Sequence, residues 1–205
     1  MNLNLFFTPT DILLPAHADM RRWSVIACDQ FTADAGYWQA VQDTVGDAPS
    51  TLRLMLPEFY LGKCDEAAAT RKIQQTMRRY LDDGVFRTVP HSLVLVQRTL
   101  PGGAVRCGVV GALDLEAYDY TPDSVTPIRA TEGTVASRLP ARVRIRAAAA
   151  LEMPHIMVFY SDPKDTIRRE AQAAAGETLY DFDLMSGGGH VRGLRIAGAK
   201  ADALA

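Results

Sequence analysis

Apolar side chains recur at three- and four-residue steps most clearly over residues 65–81. Ile73, Met77 and Tyr80 share one face in this stretch, which holds good helix formers and no internal glycine or proline. This spacing is typical of an α-helix with one buried face. The sequence therefore predicts an amphipathic helix over 65–81, and Gly84 is its natural C-terminal stop.

Two further helices are predicted from the same kind of pattern. The first runs from about Ala33 to Val45, with Thr32 as its N-cap and apolar positions along one face. The second runs over 163–175 and is ended by Gly176.

Short runs rich in β-branched and aromatic residues predict the strands. The expected strands are 23–28, 52–56, 92–100, 104–115, 155–160, 178–184 and 191–196, after short strand or arm segments at 3–7 and 12–14. Trp23–Cys28 and His155–Tyr160 are expected to be buried strands. Pro101–Gly103 predicts a hairpin turn, and Gly108 and Gly111 predict a bulge or a close backbone approach in its second strand.

The order of these elements defines the expected fold class. Strand hairpins are mixed with helices and do not alternate strictly with them, which favours an α+β, mixed α/β fold over a doubly wound parallel sheet. We expect a mixed, mainly antiparallel sheet with packed helices, in one domain over 1–196. Residues 197–205 are expected to be a flexible tail or a truncation point.

Composition narrows the functional classes. The chain has 205 residues, 48% of them apolar, and a formal net charge of −2, which argues against a general nucleic-acid or membrane-surface binder. Cys28, Cys64 and Cys107 are widely spaced and show no metal-ligand pattern. Neither a signal peptide nor a membrane-spanning run is evident, so we expect a cytoplasmic protein.

One segment carries a strong local excess of positive charge. Between residues 129 and 146, Glu132 is the only carboxylate beside five arginines: Arg129, Arg138, Arg142, Arg144 and Arg146. Guanidinium groups match phosphate and carboxylate oxygens, which predicts an anion site. The other interpretation is that these arginines pair on the surface with acids of the 114–123 region and with Glu152.

The conformation of this segment decides how the arginines point. We expect a loop that feeds a helix, which Pro140 starts or interrupts. Arg142, Arg144 and Arg146 would share one face of an extended segment, whereas they would fan out from a helix. Thr131 and Thr134 lie beside Glu132 as further candidate ligand-binding groups.

Two other places hold candidate site residues. Asp29 follows an apolar run, where a carboxylate can enter a site or simply form a turn. Cys28 beside it is expected to be a packing residue, because no nearby base is evident in the sequence. The glycine-rich turn before His190 and Arg192 could bind an anion through its backbone, although a plain hairpin turn also explains it.

A further set of motifs is spread over about residues 11–196: Trp23–Gln30, Tyr37–Trp38, Pro49–Leu52, Leu56–Glu58, Ile128–Thr134, Pro140–Arg146, Pro154–Met157 and Met185–Gly193. Together these motifs resemble a known family, the bacterial and archaeal domain of unknown function 1015. The resemblance implies no settled activity. It also implies an N-terminal part of a longer protein, and a remoter similarity of layout to the ParB/sulfiredoxin-like superfamily.

Two functions from different classes fit these features. The first is a phosphotransferase, a nucleotide-dependent small-molecule kinase that uses Mg²⁺ with ATP or ADP and acts on a small hydroxylated metabolite. Glu132 and Asp29 would then be the catalytic or metal-binding acids, and the ligand-binding groups would be Arg129, Thr131, Thr134, Arg142, Arg144, His190 and Arg192. The alternative is a non-catalytic module that binds an anionic metabolite or nucleotide at the same patch.

Overall fold

Nine strands organise the described part of the chain: five form the main antiparallel sheet, two form a small antiparallel ribbon, and two form a parallel pair. The computed structural model describes residues 6–130, 133, 135–153 and 155–205. The strands in chain order are β1 (Phe7–Thr8), β2 (Thr10–Pro15), β3 (Phe86–Thr99), β4 (Val105–Val110), β5 (Ala112–Leu113), β6 (Tyr118–Asp119), β7 (Ile128–Arg129), β8 (Thr178–Asp183) and β9 (His190–Ala197). Only β6 and β7 pair in parallel within the described residues.

Helices pack around this sheet and lie close to the positions expected for three of them. The α-helices are α1 (Met20–Trp23), α2 (Ala35–Val45), α3 (Glu66–Asp82), α4 (Leu139–Arg146), α5 (Thr166–Ala174) and α6 (Ala199–Leu204). Short 3₁₀ turns occur at Thr51–Leu54, Glu58–Tyr60, Leu115–Ala117, Ala136–Arg138 and Met185–Gly187. The α+β class with a mainly antiparallel sheet is confirmed.

Strand β3 holds the main sheet together. Its first half pairs with β2, and its second half lies between β4 and β9. Strand β8 continues the sheet beyond β9. Leu93 and Leu95 of β3 are buried with Ile196 of β9, so the centre of the sheet is also one of its hydrophobic cores.

The hairpin between β3 and β4 forms where the sequence predicts it. Gly103 at the turn has a positive φ of +83°, which favours glycine. The predicted close approach is found at Gly111, where an added Cβ would meet Leu93 Cδ2 and Phe7 Cζ at 2.6 Å. Gly108 has nothing within 4 Å of such a Cβ.

Two other hydrophobic cores belong to the helices. The periodic face of α3 buries Ile73, Met77 and Tyr80 against Trp23 and Leu54. Helix α2, capped by Asp34 and not by Thr32, buries Trp38, Val41 and Val45.

The predicted strands at Trp23–Cys28 and Leu52–Leu56 are wrong. Trp23 ends α1, its carbonyl accepts hydrogen bonds from Ser50 Oγ at 3.1 Å and Thr51 Oγ1 at 2.9 Å, and Thr51 Oγ1 also accepts from the Val25 amide. Side-chain hydroxyls thus bond backbone groups that a sheet ladder would otherwise use. The second segment forms a 3₁₀ turn over Thr51–Leu54.

The buried strand predicted at His155–Tyr160 is also wrong. The segment has no regular secondary structure, and its side chains are exposed, with Ile156 at 67% and Phe159 at 77%. A β-branched apolar run becomes a strand only where a neighbouring strand edge is paired with it, and periodicity alone does not identify that partner.

The C-terminal segment contains a helix. We expected a flexible tail or a truncation point over 197–205, whereas Ala199–Leu204 forms α6. Ala201 is fully buried in the same core as Ala171 of α5. Apolar contact with α5 and the sheet therefore holds this helix in place.

Gly189→Ala should destabilise the fold strongly, by roughly 2–4 kcal/mol. Gly189 has a φ of +92°, and an added Cβ would lie well inside contact distance of the Thr99 carbonyl oxygen at the end of β3. Urea unfolding followed by circular dichroism measures the change. The matched control is Gly102→Ala, where φ is not positive and nothing lies within 4 Å; equal stability of the two variants would contradict this account.

Candidate functional site

Helix α4 carries two arginines of the predicted anion site on one side. Arg138 is its N-cap residue, Pro140 lies in its first turn, and Arg142 follows Arg138 by four residues. Side chains four residues apart lie on the same face of a helix. Gln74 of α3 donates to the carbonyls of Arg144 and Ile145, at 2.9 and 3.1 Å, and so fixes the far end of α4.

Both arginines bind the same carboxylate, that of Glu58. Arg138 Nη1 lies 3.1 Å from Glu58 Oε2, and Arg142 Nη2 donates to Glu58 Oε1 at 2.7 Å. The Glu58 side chain is only 6% exposed. A carboxylate removed from water in this way requires charged partners, so Glu58 holds the two guanidinium groups side by side.

Asp29 completes the group. The Glu58 amide donates to the Cys28 carbonyl at 2.8 Å, which brings the turn that bears Asp29 next to α4. Asp29 Oδ2 lies 3.8 Å from Arg142 Nη2. We call Asp29, Glu58, Arg138 and Arg142 the two-arginine cluster; its two positive and two negative formal charges cancel.

The guanidinium groups of the two-arginine cluster keep N–H donors that these contacts do not occupy. The side chains of Arg138 and Arg142 are 44% and 41% exposed. Each guanidinium has five N–H donors. Arg142 Nε is buried and has no hydrogen-bond partner among the described residues. The hydrogen bond to Glu58 raises the pKa of Arg142, so its positive charge persists at any working pH.

Cys28 lies beside this cluster but is not an activated nucleophile. Burial raises the pKa of its thiol, and the opposing effect of the nearby Arg142 charge is smaller. The thiol therefore stays protonated at neutral pH, as expected for a packing residue.

The remaining arginines of the segment bind other partners; Arg144 and Arg146 do so because they fan out from α4, and Arg129 lies in β7. Arg144 pairs with Glu66 of α3 at 2.6 Å, and Arg146 pairs with Glu152. Arg129 donates from Nε to the Thr126 carbonyl at 2.9 Å. Of the proposed ligand-binding arginines in this segment, the structure brings Arg142 to Asp29, and it directs Arg129 and Arg144 to other partners.

Three proposed site residues lie outside the described residues: Thr131, Glu132 and Thr134. Glu58, in contrast, was not singled out from the sequence. It lies in a short 3₁₀ turn that begins after Pro57 and has no periodic pattern. The one available signal was its place in the Leu56–Glu58 segment that carries the family resemblance.

His190 and Arg192 belong to a second polar cluster, on the β8–β9 hairpin. His190 Nε2 lies 2.6 Å from Asp181 Oδ1, and its Nδ1 lies 2.8 Å from Asp183 Oδ1. Arg192 Nε lies 3.5 Å from Asp181, and Arg21 of α1 lies 3.2 Å from Asp183. The hydrogen bond to Asp183, followed by the contact with Asp181, raises the pKa of His190. Carboxylates, and not an open anion site, surround these two residues.

The described residues also limit two other kinds of site. Among them, His, Cys, Asp and Glu side chains nowhere gather in threes in a way that could hold a metal ion. In the same part of the chain, no helix combines the length and the apolar character needed to cross a membrane.

The class of protein that emerges is a small α+β domain with a partly exposed arginine pair fixed by a buried glutamate. The family model described as "protein of unknown function (DUF1015)" matches residues 9–203. The chain belongs to this family, as its motifs indicated. Comparisons with curated proteins and with solved structures give no match. The remoter resemblance to the ParB/sulfiredoxin-like superfamily stays a prediction.

The raised pKa of His190 predicts a measurable pH dependence. A histidine whose pKa is raised by folding stabilises the native state fully below its unfolded pKa of about 6.5 and loses that contribution as pH rises through the folded pKa. We expect the NMR-monitored pKa of His190 to lie above about 6.5 and to fall in Asp183→Asn.

The stability of the wild type relative to His190→Gln should decline as pH rises from about 6 to about 8. Matched urea titrations of the two proteins at both ends of this range measure the decline. A constant stability difference across the range would show that the carboxylates do not act on this histidine.

Proposed function

We propose that this chain binds a small anionic metabolite at the two-arginine cluster. The observation that carries the proposal is the convergence of Arg138 and Arg142 on one buried carboxylate while both side chains remain more than 40% exposed. The anion would accept hydrogen bonds from the guanidinium nitrogens that face solvent.

Glu58 is a positioning residue in this proposal. Arginine side chains lose much rotational freedom when they bind a ligand, and that loss weakens binding. Glu58 already fixes both guanidinium groups, with contacts of 3.1 and 2.7 Å. The arginines therefore lose their rotational freedom when the chain folds, and binding of a ligand costs little further entropy. Preorganisation of this kind supports binding of a ligand with few atoms.

Asp29 would determine which chemical class of anion the site prefers. Its exposed carboxylate lies 3.8 Å from the Arg142 guanidinium, so a pure anion would face repulsion from Asp29. A ligand that carries a hydroxyl or amino group beside its phosphate or carboxylate would donate to Asp29 and avoid that repulsion. Hydroxylated phosphates and amino acids are therefore the favoured chemical classes.

Arg142→Gln should sharply reduce the stabilisation that a bound anion gives. At about 100 times its Kd a ligand adds about 2.7 kcal/mol to the unfolding free energy, or roughly 5–10 °C in Tm for a chain of this size. We expect such a shift for at least one ligand in a thermal-shift panel of inorganic phosphate, phosphorylated metabolites, amino acids and nucleotides. The shift in Arg142→Gln is measured against that variant's own ligand-free Tm.

The matched control is Arg78→Gln, which removes an exposed arginine from α3. It should keep the full ligand-induced shift, whereas Arg142→Gln should raise the Kd by about tenfold or more. Equal shifts in the two variants, or the absence of any shift in the wild type, would refute binding at this cluster.

A phosphotransferase is the second candidate function. It is favoured by the position of Asp29, an exposed carboxylate beside Arg142 and close enough to a bound phosphate to act on a neighbouring hydroxyl. Mg²⁺ in such sites is held by one or two carboxylates together with phosphate oxygens, and Asp29 fits that role. When bound, the ion would neutralise charge on the transferred phosphoryl group. Glu132 is proposed as the second acid from the sequence alone.

The catalytic proposal makes a separate prediction. ATP or ADP should stabilise the wild type only when Mg²⁺ is present, and ATP should be consumed in the presence of an accepted hydroxylated substrate. Asp29→Asn and Glu132→Gln should each lower that turnover by about a hundredfold or more. Saturable binding without turnover, or turnover unchanged in Glu132→Gln, would leave the binding module as the function of this chain.

We also propose that this chain is cytoplasmic. Cys28, Cys64 and Cys107 are all free thiols, which a reducing compartment would maintain.

A further inference from the structure

Phe31 combines two unfavourable features next to the two-arginine cluster. Its φ of +51° lies in the left-handed region, which a bulky side chain rarely adopts. Its side chain is also 47% exposed, although it is a large apolar group. Strained backbone retained at an exposed position is a feature of binding and catalytic sites.

The ring is held firmly in this position by α2. It stacks on the Tyr37 ring with a centroid distance of 3.9 Å and an angle of 11° between the planes. The Phe31 carbonyl accepts a hydrogen bond from Trp38 Nε1 at 3.0 Å, and Trp38 itself is fully buried. One face of the Phe31 ring is therefore covered by Tyr37, and the exposed surface of this side chain is aromatic and rigid.

Phe31 is also close to the charged groups. Only one residue separates it from Asp29, and two consecutive peptide units span at most about 7.6 Å between Cα atoms. The turn that contains Asp29 is closed by a hydrogen bond of 3.1 Å from the Gln30 amide to the Ala27 carbonyl, and Phe31 follows this turn directly. Asp29 in turn lies 3.8 Å from Arg142. An anion on the arginine pair and a ring on Phe31 are within the reach of one small molecule.

We propose that Phe31 is a stacking platform for the aromatic ring of the ligand whose anionic group binds Arg138 and Arg142. This inference rests on the proposed function and narrows it to a chemical class, the nucleoside phosphates. Every nucleobase has a flat aromatic face that can stack on an aromatic side chain. The platform would therefore favour ligands that carry a base and would discriminate little among the bases. Asp29 lies two residues before Phe31 and 3.8 Å from Arg142 Nη2, and it would accept a hydrogen bond from a ribose hydroxyl.

A purely structural role for Phe31 makes a different prediction. Were its ring needed only to cover α2, removing it would lower stability and affect all ligands alike. Were it a platform, removing it would affect only ligands that carry a ring. Phe31→Gly removes the ring without leaving a strained residue, because glycine tolerates a φ of +51°. A loss of AMP binding in this variant would therefore not come from backbone strain.

The test is isothermal titration of AMP and of ribose 5-phosphate, which has the phosphate and the sugar but no base. We expect the wild type to bind AMP about tenfold or more tightly than ribose 5-phosphate. Phe31→Ala and Phe31→Gly should weaken AMP to the level of ribose 5-phosphate and leave ribose 5-phosphate unchanged. Phe31→Trp should restore the preference.

The matched control is Phe159→Ala, which removes an aromatic side chain that is 77% exposed in the irregular segment before α5. It should leave both affinities unchanged. Equal wild-type affinities for the two ligands, or an AMP affinity unaffected by Phe31→Ala, would overturn the platform while leaving anion binding intact. Binding of neither ligand to the wild type would overturn the platform and the nucleoside phosphates as the ligand class, whereas the proposed function is overturned only if no anion of the thermal-shift panel binds.

Discussion

A carboxylate that folding removes from water must be paired, and Glu58 is such a carboxylate. Its side chain is 6% exposed, and its two oxygens are bound by Arg138 and Arg142. Because those arginines lie four residues apart, the pairing orients α4 as well as the side chains. The Glu58 amide donates to the Cys28 carbonyl, so the backbone of the same residue also fixes the turn that carries Asp29, directly before Phe31. Helix, turn and charges are thus held through one residue.

The sequence predicted those elements whose stability comes from local pattern. The face of α3, the β3–β4 hairpin turn and the β8–β9 pair were found where expected, since periodicity and glycine turns are encoded within each segment, although β3 begins at Phe86 and β4 ends at Val110. The predictions were wrong for segments whose secondary structure depends on partners distant in the sequence. Residues 23–28 have backbone groups bound by Ser50 and Thr51, and His155–Tyr160 has no paired strand among the described residues. No local pattern encodes such partners.

The site was partly predictable for the same reason. A cluster of arginines is visible in a sequence, and Arg142 and Asp29 do lie together. The helical state of the segment, however, directs Arg144 to Glu66 and Arg146 to Glu152, so five arginines contribute only two to a shared position. Glu58 was missed because the sequence does not show whether a glutamate is buried, and most glutamates lie on the surface.

Charge cancellation within the two-arginine cluster decides what kind of recognition the site can perform. Two guanidinium groups beside two carboxylates create little long-range field, so an anion would not be steered to the site over a distance. Recognition would depend on hydrogen bonds at contact, which are directional, and on apolar or aromatic surface nearby. Phe31, with its ring stacked at 3.9 Å on Tyr37 and its side chain 47% exposed, is such a surface. Under the proposed function, an electrically neutral cluster next to an aromatic ring would therefore favour a ligand that is charged at one end and aromatic at the other over an inorganic ion.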